Sequence, residues 1–176
     1  MRSSHVCFGG FAASFVVIGA GLALPATAFA DDVTNDPTMP GPVQVAAVPT
    51  SDDADPAAVT ACGAFAEALD GTSVYYADFA DAIEGSDYAD PAVGDSNIVG
   101  RTALRQAAGV SMTAAGTPGL QPDIADPMRT WSFDATKLLV KMGLRIPGDS
   151  LNTTATEMND DATKAQEACA AAGTHA

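Results

Sequence analysis

Two cysteines near opposite ends of a helix-patterned region restrict the fold of this chain more than any other feature. Cys62 and Cys169 are 107 residues apart. In an exported protein, which meets an oxidising environment, such a pair normally forms a disulfide. A metal site is the competing use, but there is no CxxC motif, and the only other soft ligand nearby is His175 beside the terminus. We therefore predict a Cys62–Cys169 disulfide and no metal site.

The first thirty residues have the pattern of a secretory signal peptide. Arg2 is the only charged residue before Asp31, an apolar stretch covers residues 6–24, and residues 28–30 (Ala-Phe-Ala) form a signal-peptidase motif. Cys7 would be removed with this segment. We expect cleavage after Ala30, a secreted or cell-envelope location, and no membrane-spanning segment in the mature chain.

The chain is strongly acidic, with 22 acidic residues against 8 basic ones and a formal net charge of −14. A surface of this charge repels nucleic acids and anionic membrane surfaces. We therefore expect no nucleic-acid partner, and we attribute the acidity to solubility outside the cell.

Composition divides the rest of the chain into a tail and one domain. Residues 31–56 are rich in proline and aspartate and show no helical period, which is typical of a disordered segment. We predict a cleaved signal peptide at 1–30, a disordered tail at 31–56, a helical domain at 57–173 and a C-terminal tail at 174–176.

Apolar residues recur at steps of three and four in four segments, as they do on one face of a helix. The four stripes predict four helices with one buried face each. They are Cys62, Phe65, Leu69, Thr72, Tyr76, Phe79 and Ile83; Val99, Ala103, Ala107, Val110 and Ala114; Ile124, Met128, Trp131, Ala135, Leu138 and Met142; and Leu151, Ala155, Met158, Ala162, Ala165, Cys169 and Ala172.

Local signals predict the bounds of the first two helices. Asp55 and Pro56 are a cap and first-turn pair for the first helix, and Gly85 is its expected end. Residues 85–97 are rich in Gly and Asp and are expected to be a loop. The second helix is then expected over about 97–115.

The third helix is predicted to begin near Pro122, or at Asp126-Pro127, and to end near Gly143. The fourth is predicted over about 150–172. Asp149 or Ser150 is its expected N-cap, because a short polar side chain there accepts a hydrogen bond from the first turn.

Four amphipathic helices joined by loops favour an antiparallel four-helix bundle. In an up-down-up-down bundle, the start of the first helix and the end of the last lie at the same end, so Cys62 and Cys169 would meet there. We therefore predict an all-α fold: an antiparallel four-helix bundle closed by one disulfide, with a disordered N-terminal tail.

No motif in the sequence points to catalysis. His175 is the only histidine after residue 30, so a Ser-His or Cys-His nucleophile would lack a positioned base. GxSxG, HExxH, GxGxxG and P-loop patterns are absent. The acidic stretch 78–95 lacks the spacing and closing glutamate of a calcium loop. We expect a non-enzymatic protein with no catalytic residues.

Aromatic and methionine side chains on the predicted inner faces leave two interpretations open. They form ordinary core, which is usual at helical spacing, or they line an apolar pocket between helices that carries haem or another small apolar ligand. No other cofactor is expected. The residues of the candidate pocket are Tyr76, Phe79, Met128, Trp131, Met142 and Met158.

Six basic residues fall in the second and third helices, whereas the first and fourth are largely acidic at polar positions. We favour ion pairing between neighbouring helices as the explanation. The alternative is a docking surface for an anionic wall polymer or a partner. The six residues are Arg101, Arg105, Arg129, Lys137, Lys141 and Arg145.

Several stretches of the domain resemble a known group of proteins. They are "ACGAFAEAL", "YYADFADAI", "SNIVGRTALRQAA", "TPGLQPDIADPMRTWSFDATKLLVKMGL" and "DSLNTTATEMNDDATKAQEACA". From about Cys62 to Cys169 the chain resembles an uncharacterised family of small exported helical proteins of mycobacteria and related actinobacteria.

This resemblance implies location and lineage, and no activity. The general plan is also similar to the secreted haem-binding proteins of mycobacteria, although no haem-ligating motif carries over. The expected function is a binding or interaction role in a secreted or cell-wall-associated protein. A carrier of haem or another apolar ligand is the alternative.

Overall fold

The structure is a computed structural model that describes residues 49–146 and 148–176. These residues form four α-helices and no strand. The predicted all-α four-helix fold is confirmed. The predicted signal peptide and residues 31–48 of the predicted tail lie outside the described residues. The helices are α1 (Pro56–Ile83), α2 (Pro91–Ala115), α3 (Pro122–Gly143) and α4 (Asp149–Ala171).

The starts of α1 and α3 agree with the sequence signals. The Asp55 carboxylate accepts hydrogen bonds from the backbone N–H groups of Ala57, at 2.7 Å, and Ala58, at 3.3 Å. Pro56 occupies the first helical position, where its missing N–H leaves no bond unmade. α3 begins at Pro122, the earlier of its two predicted starts, with Pro127 inside the helix.

α2 begins at Pro91, not near Asn97 as predicted. The Asp90 carboxylate accepts a hydrogen bond from the Ala92 N–H at 2.8 Å, and Pro91 follows the cap directly. This is the same Asp-Pro signal that starts α1. The glycines and aspartates around it favour a loop by composition, so the predicted helix begins too late along the chain.

The predicted cap of α4 is wrong. Gly148 is the N-cap, with a positive φ of 67° that suits glycine, and no side chain caps the helix. Asp149 and Ser150 both lie within the first turn. The Asp149 carboxylate still favours this end, because negative charge near a helix N-terminus is stabilising.

Successive helices run antiparallel. Asn97 Nδ2, in the first turns of α2, donates to the Met142 carbonyl oxygen at the end of α3, 3.2 Å away. Lys141 Nζ, near the end of α3, donates to Thr154 Oγ1 near the start of α4, at 2.6 Å. Each helix packs mainly on its neighbours in sequence, whereas α1 and α4 contact each other much less.

The Cys62–Cys169 disulfide joins α1 to α4, with the two Cα atoms 5.9 Å apart. Both cysteines are fully buried. The predicted bridge and its place in the topology are confirmed. We call this the terminal end of the bundle. The opposite end, which holds the α1–α2 and α3–α4 connections, is called the distal end.

Residues just before α1 are also attached at the terminal end. The Ser51 N–H donates to the Gly173 carbonyl oxygen at 2.7 Å, and the Thr50 and Thr174 hydroxyls lie 3.5 Å apart. These contacts fall in the last part of the predicted tail, so the chain enters and leaves the bundle side by side.

The core is built from the predicted inner stripes. Every stripe residue of α3 is buried, and those of α4 are buried from Leu151 to Cys169. Phe65 of α1 and Trp131 of α3 meet edge to face, with ring centroids 5.4 Å apart. Two helices that are not neighbours in sequence therefore touch at the centre of the bundle.

The predicted stripe of α2 is wrong at two positions. Val99 and Val110 are 47% and 39% exposed. The buried face of α2 carries mainly small or polar residues instead, and it packs closely on α3: Ser111 Oγ donates to the Met128 carbonyl oxygen at 2.8 Å. Two helices can approach closely only where their side chains are small. The buried face of α2 therefore cannot be recognised in the sequence from a stripe of large hydrophobic residues.

Candidate functional site

The six residues of the predicted apolar pocket are all buried, and the structure brings them into the hydrophobic core. The clefts described below are lined by other residues. The Tyr76 hydroxyl is buried and has no hydrogen-bond partner among the described residues, and burial raises the pKa of this phenol. The six are Tyr76, Phe79, Met128, Trp131, Met142 and Met158.

An open cleft of about 560 Å³ lies at the distal end of the bundle. It is formed by the α1–α2 connection, the first turns of α2 and the end of α3. We call it the arginine cleft. Its walls include Tyr88, Gly94, Asn97, Arg101, Gly143 and Arg145.

Arg101 projects from α2 across the C-terminal end of α3. A Cβ added at Gly143 would lie 3.0 Å from the Arg101 Cζ, so the guanidinium lies directly against the glycine backbone. The C-terminal end of a helix favours a cation, which helps to hold the side chain there. The Arg101 Nε is buried and has no hydrogen-bond partner among the described residues.

Tyr88 lines the same cleft, and it also has a buried polar atom without a partner among the described residues. Its hydroxyl is buried without a hydrogen bond in the described part of the chain, and its ring packs 6.3 Å from that of Phe79. Burial raises the pKa of Tyr88, and the positive charge of Arg145 partly opposes this rise. The phenol is therefore neutral at physiological pH and can donate a hydrogen bond.

Arg145 has a backbone conformation that favours glycine. Its φ is 55°, and it is the one non-glycine residue with positive φ in the described ranges. Its N–H donates to the Met142 carbonyl oxygen at 3.2 Å, and the Ile146 N–H donates to the Lys141 carbonyl oxygen at 3.0 Å, which closes α3 with a Schellman motif. Placing arginine in this left-handed position costs about 1 kcal/mol.

The interpretation of the basic residues as ion pairs between neighbouring helices holds for Lys137, which pairs with Glu157 and so joins α3 to α4. Arg129 pairs with Asp126 at 2.7 Å, but both residues lie in α3. Within the described ranges, Arg101, Arg105 and Arg145 make no ion pair and no side-chain hydrogen bond. Two of these three, Arg101 and Arg145, line the arginine cleft.

A second cleft runs between α1 and α2. It has a volume of about 520 Å³, and none of its lining residues is charged. We call it the α1–α2 groove. Its lining includes Thr60, Ala64, Gly109, Val110, Ala114 and Thr117.

Two carboxyl groups meet between α3 and α4, away from both clefts. Asp134 and Asp161 are close enough for their charges to interact, and Asp161 is almost fully buried. Burial is the main cause that raises the pKa of Asp134, the charges of Asp161 and Glu157 add to it, and Lys137 opposes it. Ionisation of Asp134 is therefore less favourable in the folded protein than in the unfolded chain.

We predict that Asp134→Asn stabilises the protein at pH 7. The folded pKa of Asp134 lies above its unfolded value of 3.8, so its ionisation lowers stability as pH rises through the folded pKa. Well below pH 3.8 the group is protonated in both states, and this advantage should vanish. Melting temperatures at pH 7 and at about pH 2.5 measure the effect.

Asp160→Asn, which changes an exposed residue of the same helix as Asp161, is the matched control and should shift the melting temperature much less. An Asp134→Asn variant that is destabilised at pH 7 would show that the pairing with Lys137 outweighs burial.

The described residues contain neither a membrane-spanning helix nor a cluster of metal ligands. None of the four helices is long and apolar enough to cross a membrane. No three side chains among the described His, Cys, Asp and Glu residues are grouped to hold a metal ion.

Comparison with known proteins gives one match. A family model described as "Rv2240c four-helix bundle domain" matches residues 45–170, which include both bridged cysteines and nearly all of the four helices. No curated protein and no solved structure matches the chain. The match agrees with the resemblance to a mycobacterial helical family, and its description names a fold, without an activity or a ligand.

Proposed function

The chain belongs to the Rv2240c four-helix bundle domain family, and we propose that it is an exported, non-enzymatic binding protein whose ligand-binding site is the arginine cleft. The observation that carries this proposal is that Arg101 and Tyr88 line one cleft and that each has a buried polar atom without a hydrogen-bond partner among the described residues. Buried polar groups are nearly always hydrogen-bonded, and a ligand that draws these two side chains toward the cleft would supply the missing partners. The volume of about 560 Å³ suits a small molecule.

Export is supported by the signal-like first thirty residues and by the disulfide, which persists in oxidising compartments. A binding role without catalysis is supported by the cleft's composition. Among the described residues, its lining contains no histidine, serine or cysteine that a carboxylate could activate. It contains two carboxylates, Asp90 and Asp95, and that of Asp90 is already bonded to the Ala92 N–H and to the Ser86 hydroxyl. The proposed setting is the medium or the cell envelope.

Mass spectrometry of the protein recovered from the medium or envelope of its own host tests both parts of the proposal. Under denaturing conditions, we expect a mature chain that begins at Asp31 with its disulfide intact. Under native conditions, we expect an additional bound mass. A chain that retains residues 1–30 would contradict export, and a wild-type protein without any bound mass would contradict the binding role.

Two tryptophan variants locate the bound mass. Gly94 lines the arginine cleft and Gly109 lines the α1–α2 groove, and a Cβ at either meets no atom within 4 Å. Gly94→Trp should therefore fill the arginine cleft without disturbing the core, and the bound mass should be lost. Gly109→Trp, the same change on the same helix, should retain it. The reverse pattern would exclude the arginine cleft as the site.

A carrier of haem or another apolar ligand is the second candidate function. The α1–α2 groove favours it, because its lining is uncharged and includes Ala64, Val110 and Ala114. Titration with haemin at micromolar protein should then give a shifted Soret band in wild type that Gly109→Trp abolishes. An unshifted spectrum would exclude haem.

A further inference from the structure

Resting on the proposed function, we infer that the arginine cleft recognises an oxyanion, either a carboxylate or a phosphate group, through Arg101 and Arg145 with the Tyr88 hydroxyl as a third donor. The proposed function gives the place of the binding site, and an oxyanion is the chemical class of the ligand that would bind there.

Two hydrogen-bond donors, Arg101 Nε and the Tyr88 hydroxyl, have no acceptor among the described residues. Arg101 Nε carries a hydrogen that no described acceptor takes, and the neutral Tyr88 hydroxyl also has no partner. Both residues line the arginine cleft. A guanidinium donates and never accepts, so the missing partner of Arg101 must be an acceptor. Carboxylate and phosphate oxygens are the acceptors that match its planar set of donors.

The second step concerns the carboxylates that the protein itself could offer. With 22 acidic residues against 8 basic ones, an arginine without an ion pair is unexpected. Asp90 and Asp95 also line the cleft, but Asp90 caps α2, and neither comes within ion-pair distance of an arginine. The two positive charges are therefore left available to a ligand.

The third step concerns Arg145. Glycine would adopt its φ of 55° without strain, and glycine is what helix ends of this type usually carry. The side chain makes no hydrogen bond and no ion pair in the described part of the molecule that would offset the strain. Its charge does reach the cleft, because it acts on the pKa of Tyr88. Strained backbone is often found at binding sites, and Arg145 carries it in the wall of this cleft.

The fourth step concerns the space available. Gly143 lacks a Cβ where the Arg101 guanidinium lies, so the side chain rests against the end of α3 and leaves the cleft open. The first turn of α2 also lines the cleft, and the Asp90 carboxylate already caps its Ala92 N–H. The charges that favour an anion in the cleft are therefore those of Arg101 and Arg145, with the Tyr88 hydroxyl as a neutral donor.

Titrations of the exported protein with inorganic phosphate and, separately, with acetate test the inference by NMR. In ¹⁵N-labelled wild type, we expect saturable shifts of the Tyr88, Asn97 and Gly143 amides. Arg101→Gln and Arg145→Gly should each weaken binding at least about tenfold, since charge-assisted hydrogen bonds are lost. Arg145→Gly should also raise the melting temperature, by about 3 °C, because glycine relieves the strain.

Arg105→Gln is the matched control, since Arg105 is an exposed arginine of α2 that does not line the cleft. It should leave both affinities unchanged. Tighter binding of phosphate would assign a phosphorylated ligand, and tighter binding of acetate a carboxylate ligand.

Two outcomes would overturn the inference: no saturable binding of either anion, or equal binding by wild type, Arg101→Gln and Arg145→Gly. If Gly94→Trp nevertheless loses the bound mass, the arginine cleft remains the binding site and only the oxyanion is excluded. If Gly94→Trp retains the bound mass, the proposed function itself fails.

Discussion

Replacing Cys62 and Cys169 by alanine is expected to lower the free energy of unfolding by about 4–5 kcal/mol. The bridge closes a loop of 107 residues, and most of its effect comes from restricting the unfolded chain. Domains of this size are stable by about 5–15 kcal/mol, so the loss would be a large share of the total. Urea unfolding followed by circular dichroism measures it.

The loss of stability should be largest near the missing disulfide. α1 and α4 contact each other little apart from the bridge, whereas α2 and α3 each pack on two neighbours. Hydrogen exchange in the double variant should therefore accelerate first near Cys62 and Cys169, and last in α2 and α3. Wild type kept reduced, without alkylation, is the control and should behave in the same way. A loss below about 1 kcal/mol would contradict the chain-entropy explanation.

Trp131→Ala is expected to cost about 3–5 kcal/mol, the range for removing a buried aromatic side chain. Trp131 is 1% exposed and meets the Phe65 ring edge to face at the centre of the bundle. The substitution would leave a cavity between α1 and α3, which share few other contacts. Because Trp131 is the only tryptophan, unfolding must be followed by circular dichroism instead of intrinsic tryptophan fluorescence.

Phe133→Ala is the matched control for Trp131→Ala. Phe133 lies two residues away on α3 and is 64% exposed, so its removal should change stability by less than about 0.5 kcal/mol. Equal losses in the two variants would mean that the face of α3 had been assigned wrongly.

The sequence predicts α3 closely because its stripe carries large apolar residues, among them Met128, Trp131 and Leu138, on one face. It predicted the bridge because two cysteines fell on the stripes of the first and last helices. It failed on α2 for a physical reason. The face of α2 that meets its neighbours is built from Gly100, Ala107, Ser111 and similar residues, which allow close packing without a hydrophobic signal.

The arginine cleft was beyond prediction because its parts come from separate elements. Tyr88 lies in a connection, Arg101 in α2, and Gly143 and Arg145 at the end of α3. The sequence drew attention to the basic residues, but it could not show which of them lacked ion pairs. The burial of Arg101 Nε and the left-handed backbone of Arg145 cannot be predicted from composition or from the spacing of apolar residues.

Both ends of the described chain lie at the terminal end of the bundle, and the arginine cleft lies at the distal end. α2 alone has 25 residues and is roughly 37 Å long. A reporter or an affinity tag attached directly after Ala176 would therefore lie about one helix length from the cleft, at the opposite end of the bundle.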